Sequence, residues 1–251
     1  MGAIKRLFSG KRRNIPKVAP GTVIDIGRFG GFDVAFRTST TDMEVIDESF
    51  GRDIHFSGTP EYQPAKDDVI IDVGGHIGTF ALLAASKAPE GRVYVVEASL
   101  ESFNLARINI ALNDVKNVSP FHLALSDRKG VVRLHHDIGN WGHSIVKKLT
   151  ESGEDVRSDT LAGFMAENGI VRCDFMKMNC EGAEFPILLS ASPETLGKFG
   201  VILVLYHCDL YEGATEKDLA KHLESAGLKI KFRKRTTNRG WLVAVNPQRH
   251  P

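Results

Sequence analysis

Residues 72–78, which read Asp-Val-Gly-Gly-His-Ile-Gly, have the composition of a ligand-binding turn between a strand and a helix. Glycines allow backbone N–H groups to approach a ligand closely, and in open α/β sheets ligands bind at the carboxyl ends of the strands. Asp72 at that strand end could accept hydrogen bonds, directly or through water, from a cationic amino-acid group, while Gly78 would let the following helix pack closely. A tight turn without a ligand is the alternative interpretation.

Glu97 is the second candidate ligand-binding residue, because it follows the apolar run 93–96 and stands 19 residues after Gly78. A carboxylate at the end of the second strand can accept hydrogen bonds from both ribose hydroxyls of a bound nucleoside. A nicotinamide-dependent enzyme would share this acid, but its fingerprint needs a glycine where this chain has Val73. The pattern therefore favours S-adenosylmethionine over NAD as the cofactor.

Polar groups after the third and fourth predicted strands complete the predicted cofactor site. Ser126 and Asp127 could receive an adenine edge, although a surface turn would have the same composition. Asn179 and Glu181 follow the strand that lies beside the first across the ligand crevice, so we expect both to face the transferred methyl group. The predicted cofactor-binding residues are Asp72, Gly74, Gly75, His76, Gly78, Thr79, Glu97, Ala98, Ser99, Ser126, Asp127 and Asn179.

Methyl transfer to an alcohol needs a group that removes the hydroxyl proton, and three side chains are candidates. His207 closes the fifth predicted strand and His143 lies in a predicted lid region; a neutral imidazole is available as a base near pH 7, although each could be a structural histidine. Glu181 is the third candidate. Asn179, Glu181 and Asp209 could also ligate a divalent ion, but an amide is not an anionic ligand, so we predict no metal ion.

A mostly parallel sheet is needed to bring these residues together, and the hydrophobic pattern from residue 68 onward predicts one. Apolar runs alternate with amphipathic segments such as 79–87, as expected for βαβ units with helices on both faces. The predicted parallel strands are 69–73, 92–96, 118–123, 174–178 and 200–206. Residues 228–233 and 241–245 read as an antiparallel hairpin. This topology is that of class I methyltransferases: an α/β, Rossmann-like fold with a seven-stranded sheet.

Composition divides the chain into a basic flexible leader at residues 1–20, a β-rich N-terminal extension at 21–66 and a methyltransferase domain at 67–251. A net charge of +1 over 251 residues gives no field that would make nucleic acid an obligatory partner. Three scattered cysteines, with no apolar run of signal-peptide or membrane-span length, favour a cytoplasmic protein without a membrane span. The sequence leaves homo-oligomerisation open.

The order of these motifs resembles the FkbM family of methyltransferases over residues 69–206. The most specific match is Lys-Met-Asn-Cys-Glu-Gly-Ala-Glu at residues 177–184, where the family usually reads Lys-Ile-Asp-x-Glu-Gly-Ala-Glu. Asn179 replaces the usual acid, Gly75-His76 replaces a common Ala-Asn, and Ala98-Ser99 replaces a usual Glu-Pro. The resemblance implies O-methylation of a hydroxyl on a small molecule, natural product, sugar or lipid-linked glycan.

Three other functions remain open from the sequence. A nicotinamide-dependent oxidoreductase would use the same architecture, and a non-catalytic cofactor-binding protein would fit the amide at Asn179. A nucleic-acid methyltransferase would typically carry Pro-Pro-Tyr after the fourth strand, where this chain has Cys180-Glu181-Gly182. We therefore expect a small-molecule or glycan acceptor.

Overall fold

The structure, a computed structural model, describes residues 22–137, 142–236 and 238–249, so the leader predicted at residues 1–20 lies outside the described residues. Over the described ranges, no helix is long and apolar enough to cross a membrane. The strands are β1 (Ile24–Phe29), β2 (Phe32–Arg37), β3 (Val69–Val73), β4 (Arg92–Glu97), β5 (Val118–His122), β6 (Ala124–Leu125), β7 (Gly130–His135), β8 (Gly153–Asp159), β9 (Cys173–Met178), β10 (Phe199–His207), β11 (Lys229–Arg233) and β12 (Arg239–Val245). The helices are α1 (Asp42–Ile46), continued by a π-helical turn (Asp47–Gly51), α2 (Thr79–Lys87), α3 (Leu100–Leu112), α4 (Leu161–Glu167), α5 (Glu184–Leu189), α6 (Pro193–Leu196) and α7 (Glu216–Ser225).

The central sheet has seven strands in the order β11-β12-β10-β9-β3-β4-β5. The pairs from β10 to β5 are parallel, whereas β12 is antiparallel to both β10 and β11. This confirms the predicted class I methyltransferase fold with its antiparallel C-terminal hairpin. Because the chain order reverses at β3 and β9, their carboxyl ends open a crevice that can hold a ligand.

Strand residues point alternately to the two faces of the sheet, and each face has its own apolar core. On one face Ile71 and Met176 pack with α4, α5 and α7, and on the other Ile70 and Phe175 pack with α2 and α3. The nearly continuous apolar sequence of β10 is explained by its burial on both sides. The sheet is therefore a rigid frame for the strand ends.

Residues 22–66 pack onto the second face and are called the extension below. Its hairpin β1–β2 is tied to α3 through Asn109, which is fully buried. The Asn109 side chain accepts a hydrogen bond from the Ala35 N–H at 2.7 Å and donates to the carbonyls of Ala35 at 3.1 Å and Ile77 at 2.8 Å. One side chain thus links the extension, α3 and the glycine-rich turn after β3.

A second, three-stranded sheet in the order β6-β8-β7 follows β5 and was missing from the sequence prediction. Its strand β8 reads Gly-Glu-Asp-Val-Arg-Ser-Asp, and Val156 is the single large apolar side chain in it. The hydrophobic signal of this strand is therefore too weak to recognise. The small sheet has a core formed by Ala124, Leu134 and Val156. On its exposed side, cross-strand pairs such as Arg133 and Asp155, 3.0 Å apart, add contacts between β7 and β8.

We predict that Asn109→Ala lowers the free energy of unfolding by about 2–4 kcal/mol, because each buried polar group left without a partner costs about 1–3 kcal/mol. Urea denaturation monitored by circular dichroism measures this, with Arg107→Ala on the exposed side of the same helix as the control. Equal midpoints for the two variants would contradict the linking role of Asn109.

Candidate functional site

A cleft opens at the carboxyl ends of β3, β4 and β9, and the space it encloses together with the open solvent at its mouth is about 950 Å³. The lining includes Glu48 and His55 of the extension and His143 and Ile145, which follow β7 in the chain. The predicted site residues that border this cleft are Gly74, Gly75, His76, Thr79, Glu97, Ala98, His143, Asn179 and Glu181. The structure therefore brings together predicted residues of the segments 74–79, 97–98 and 179–181 with His143, while their roles in binding remain predictions.

The glycine-rich turn needs glycine at two adjacent positions because other chain segments press against it. A Cβ atom on Gly74 would collide with the carbonyl oxygen of Asn179, and one on Gly75 would collide with the side chain of Val95. Gly74 also has a φ of 72°, in the left-handed region that favours glycine. The turn therefore lies directly against the end of β9, which keeps its backbone at the floor of the cleft.

Glu97 at the end of β4 presents its carboxylate to the cleft. One oxygen accepts a hydrogen bond from the His76 N–H at 2.8 Å, and the other accepts from the Ser99 N–H at 2.7 Å. Burial raises the pKa of this carboxyl group, and the two N–H groups oppose the rise. Because a carboxylate offers about four lone-pair sites, each oxygen keeps accepting capacity for a ligand hydroxyl.

Lys177 of β9 belongs to the motif at residues 177–184, where it had no predicted role, and the structure makes it a candidate site residue. Its ammonium group donates to Asp72 Oδ1 at 2.9 Å and to the Gly74 carbonyl at 2.8 Å. Asp72, fully buried, lies outside the cleft lining, whereas Lys177 borders the cleft; the predicted contact of Asp72 with a ligand, direct or through water, stays a prediction. A lysine among the apolar residues Phe175, Met176 and Met178 of β9 was the available signal, since a buried ammonium group needs a partner.

The extension is fixed to the turn through a buried arginine. Arg37 is 1% exposed, pairs with Asp42 at 2.7 Å, and places its Nη2 atom 3.2 Å from Nε2 of His76. An arginine has no acceptor, so the Nε2 atom of His76 must accept this hydrogen bond. With φ at 51°, His76 holds a strained backbone conformation that this contact helps to retain.

His143 is oriented by a backbone group that also defines its tautomer. The Asp137 N–H donates to His143 Nδ1 at 3.1 Å, so this nitrogen carries no proton. Burial lowers the pKa of His143 to about 4, and the imidazole is therefore neutral at pH 7 with its proton on Nε2. In this state the side chain can donate a hydrogen bond through Nε2, but it is a poor proton acceptor.

Glu181 is the cleft residue at the end of a chain of three ionisable side chains. Its Oε2 atom lies 3.4 Å from Nε2 of His207, and Nδ1 of His207 lies 3.1 Å from Oε1 of Glu184. His207 is 1% exposed and sits outside the cleft lining. Glu184 in turn accepts hydrogen bonds from the N–H groups of Cys180 at 2.7 Å and Gly182 at 2.8 Å. The imidazole is therefore held between two carboxylates.

The pKa values of this chain follow from its burial and charges. Burial raises the pKa of Glu181, while His207 opposes that rise. Burial also disfavours protonation of His207, but the charges of Glu184 and Glu181 and the Glu184 hydrogen bond outweigh it, so the pKa of His207 is raised. The backbone of Glu181 has a φ of 50°, in the left-handed region. Its carboxylate lies so close to Gly142 that a Cβ atom at that position would contact it. This arrangement suits a carboxylate that takes up a proton.

Several predicted residues lie outside the cleft lining, where some of them make local structural contacts. Ser99 caps α3 by accepting a hydrogen bond from the Ser102 N–H at 3.4 Å, and Gly78 packs against Ala106. The Ser126 hydroxyl donates to Asp127 at 3.0 Å. The residues outside the lining are Asp72, Gly78, Ser99, Ser126, Asp127 and His207. From the end of β5 and from β6, the cleft lining contains the apolar residues Leu123, Ala124 and Leu125.

The acidic residues considered for a divalent ion are separated by their partners. Asp209 forms a bidentate pair with Arg239 at 3.0 and 2.8 Å, which lowers the pKa of its carboxyl group. Within the part of the chain that the structure describes, no three His, Cys, Asp or Glu side chains converge as metal ligands would. The geometry of these residues is thus that of ion pairs.

Residues 72–230 match the family profile described as the methyltransferase FkbM domain. Methyltransferase 1 of Beauveria bassiana is 24% identical over 205 residues, which cover 73% of this chain and 81% of that protein. The AMB antimetabolite synthetase AmbE of Pseudomonas aeruginosa is 26% identical over 187 residues, which are 59% of this chain but only 9% of that longer protein. Among solved structures, M. jannaschii TYW2 in complex with AdoMet is 15% identical with a TM-score of 0.48, covering 91% of this chain and 87% of that one.

Replacing Lys177 by methionine should lower the free energy of unfolding by about 3–5 kcal/mol, because it leaves Asp72 buried without its counter-ion. The double variant Lys177→Met with Asp72→Leu should regain part of this loss, since neither charge then remains buried. Chemical denaturation of both variants measures the difference. A double variant less stable than Lys177→Met would contradict the pairing.

Proposed function

Because the chain belongs to the FkbM family of methyltransferases, we propose that it transfers the methyl group of S-adenosylmethionine to a hydroxyl group of a small molecule, sugar or natural product. The observation that carries the choice of a hydroxyl acceptor is the Glu181 carboxylate in the cleft, backed by His207. An alcohol must lose a proton when its oxygen is methylated, and a positioned carboxylate can accept it. The three free cysteines are consistent with a reducing compartment such as the cytoplasm.

The chemistry of the cleft residues suits S-adenosylmethionine. Glu97 would accept hydrogen bonds from the ribose hydroxyls, and the apolar surface of Leu123 and Leu125 would cover the adenine ring. The Oδ1 atom of Asn179 is buried and has no hydrogen-bond partner among the described residues, so it offers an acceptor to a ligand. When bound, the cofactor supplies a methyl group activated by a positively charged sulfur.

Among the candidate bases, Glu181 fits the role and the two histidines have supporting roles. His143 has its acceptor nitrogen occupied by the Asp137 N–H, so its Nε2–H would donate to the acceptor oxygen and position it. His207 is buried behind Glu181 and would keep that carboxylate ionised through its own positive charge. The hydroxyl proton would pass to Glu181 as the oxygen gains the methyl group. Glu184 would hold the imidazole in place.

We expect S-adenosylhomocysteine to raise the melting temperature of the purified protein, whereas NAD should leave it unchanged. The variant Glu97→Ala should weaken S-adenosylhomocysteine binding at least about tenfold, or about 1.4 kcal/mol, through loss of a charged hydrogen-bond acceptor. Calorimetric titration measures this affinity, and Glu90→Ala, an exposed acid before the same strand, is the control. Stabilisation by NAD alone would replace the proposal with a nicotinamide-dependent oxidoreductase.

The pH dependence of methyl transfer tests the role of Glu181. The base must be ionised, and its pKa is raised, so activity should increase with pH through a value above that of a free glutamate. Glu181→Gln should lower the rate at least about 100-fold, the usual effect of removing a general base. His207→Asn should move the rising part of the profile to higher pH, because the imidazolium charge lowers the pKa of Glu181.

The assay follows labelled methyl transfer from S-adenosylmethionine to a panel of monosaccharides and hydroxylated small molecules. His222→Asn serves as a matched control, because His222 lies on α7 and bonds to the Ala191 carbonyl outside the cleft. If the His207→Asn variant kept the pH profile of the wild-type protein, His207 would have no role in the mechanism. Full activity in Glu181→Gln would leave the proposed base without support.

A further inference from the structure

The cleft lining contains polar residues that the proposed transfer step does not use. Five of them, called the recess below, are Glu48, Ser49, His55, Thr79 and Lys177, and the first three come from the extension. Ser49 and Thr79 satisfy each other, because their hydroxyl oxygens lie 2.9 Å apart. Glu48, His55 and Lys177 are therefore the groups through which the recess could recognise a charged ligand.

Lys177 has a donor that points to an additional partner. An ammonium group carries three N–H donors, and two of them go to Asp72 Oδ1 and the Gly74 carbonyl. The side chain is 7% exposed and borders the cleft, so the remaining donor can serve an anionic group there. The Asp72 charge already balances that of Lys177, so the pair as a whole adds no net charge to the recess.

His55 supplies a second, independent indication of a ligand. It is 3% exposed and borders the cleft, and its Nδ1 atom is buried without a hydrogen-bond partner in the described ranges of the chain. The ring is held edge-on to Phe80 at 4.8 Å and Trp241 at 6.1 Å between centroids. Burial lowers the pKa of His55, so the neutral imidazole would contribute a hydrogen bond without a charge.

Glu48 brings a negative charge to the same recess. It lies in the π-helical turn that continues α1, a distortion often found at functional sites. Burial raises the pKa of Glu48, while the positive charges of Lys177 and Arg52 oppose that rise; Arg52 Nη2 lies 3.9 Å from Glu48 Oε1. A carboxylate and an ammonium group therefore line the same cleft, and an α-amino acid group carries the complementary pair of charges.

We propose that this recess binds the amino-acid end of S-adenosylmethionine, with Lys177 and His55 serving its α-carboxylate and Glu48 its α-ammonium group. The inference rests on the proposed function. It makes the extension part of the cofactor site, whereas the sequence motifs assigned that site to residues from 72 onward. The recess would recognise the α-carboxylate and the α-ammonium group together. Nucleosides that lack the amino-acid end should therefore bind more weakly, because they make no contact with the recess.

The test compares S-adenosylhomocysteine with 5′-methylthioadenosine, which keeps the nucleoside and the sulfur but lacks the amino-acid end. Calorimetric titration should show S-adenosylhomocysteine binding the wild-type protein at least about tenfold more tightly. Glu48→Gln and His55→Phe should each weaken S-adenosylhomocysteine about five- to tenfold and change 5′-methylthioadenosine by less than about twofold. His55→Phe retains an aromatic ring against Phe80 and loses only the hydrogen-bonding nitrogens.

Glu44→Gln is the matched control, because Glu44 is exposed one helical turn before Glu48 in the same segment, and it should leave both affinities unchanged. Equal weakening of the two nucleosides in Glu48→Gln and His55→Phe, or no weakening of S-adenosylhomocysteine, would overturn the recess assignment while leaving the methyltransferase proposal in place. Failure of the wild-type protein to bind either nucleoside would overturn both.

Discussion

The buried ion pair between Lys177 and Asp72 is the interaction on which the geometry of the cleft depends. It joins the adjacent strands β9 and β3, and the same ammonium group holds the Gly74 carbonyl. A charge pair in such a position is stabilising only when its geometry is satisfied, so the strand ends and the turn are restricted to one arrangement. That arrangement places the glycine backbone against Asn179 and leaves the edge of β4 free to present Glu97.

The other parts of the site are arranged around this pair in three regions. Glu97 and the apolar end of β5 offer a nucleoside surface, and Glu181 with His143 forms the region where an acceptor would react. The extension supplies part of the recess and is fixed in place by Arg37 and Asn109.

The sequence predicted the parts of the fold that carry strong hydrophobic periodicity. The strand at residues 69–73 and the helix at 79–87 have the predicted bounds, since buried apolar runs and a glycine-rich turn define them. The β6–β8–β7 sheet was missed because β8 is mostly polar. The sequence also could not predict which side chains would pair. Spacing along the chain placed Asp72 at the correct strand end, but it could not show that Lys177, 105 residues later, would form an ion pair with it.

The position of β12 inside the sheet has a consequence for synthesis of the chain. This strand pairs with β10 on one side and β11 on the other, although both precede it in the sequence. While the nascent chain leaves the ribosome, the edge of β10 therefore stays unpaired until β12 has emerged, and β11 cannot join the sheet before then. An apolar, unpaired strand edge is prone to intermolecular association, so β10 is open to wrong pairing for as long as β12 is missing from the sheet.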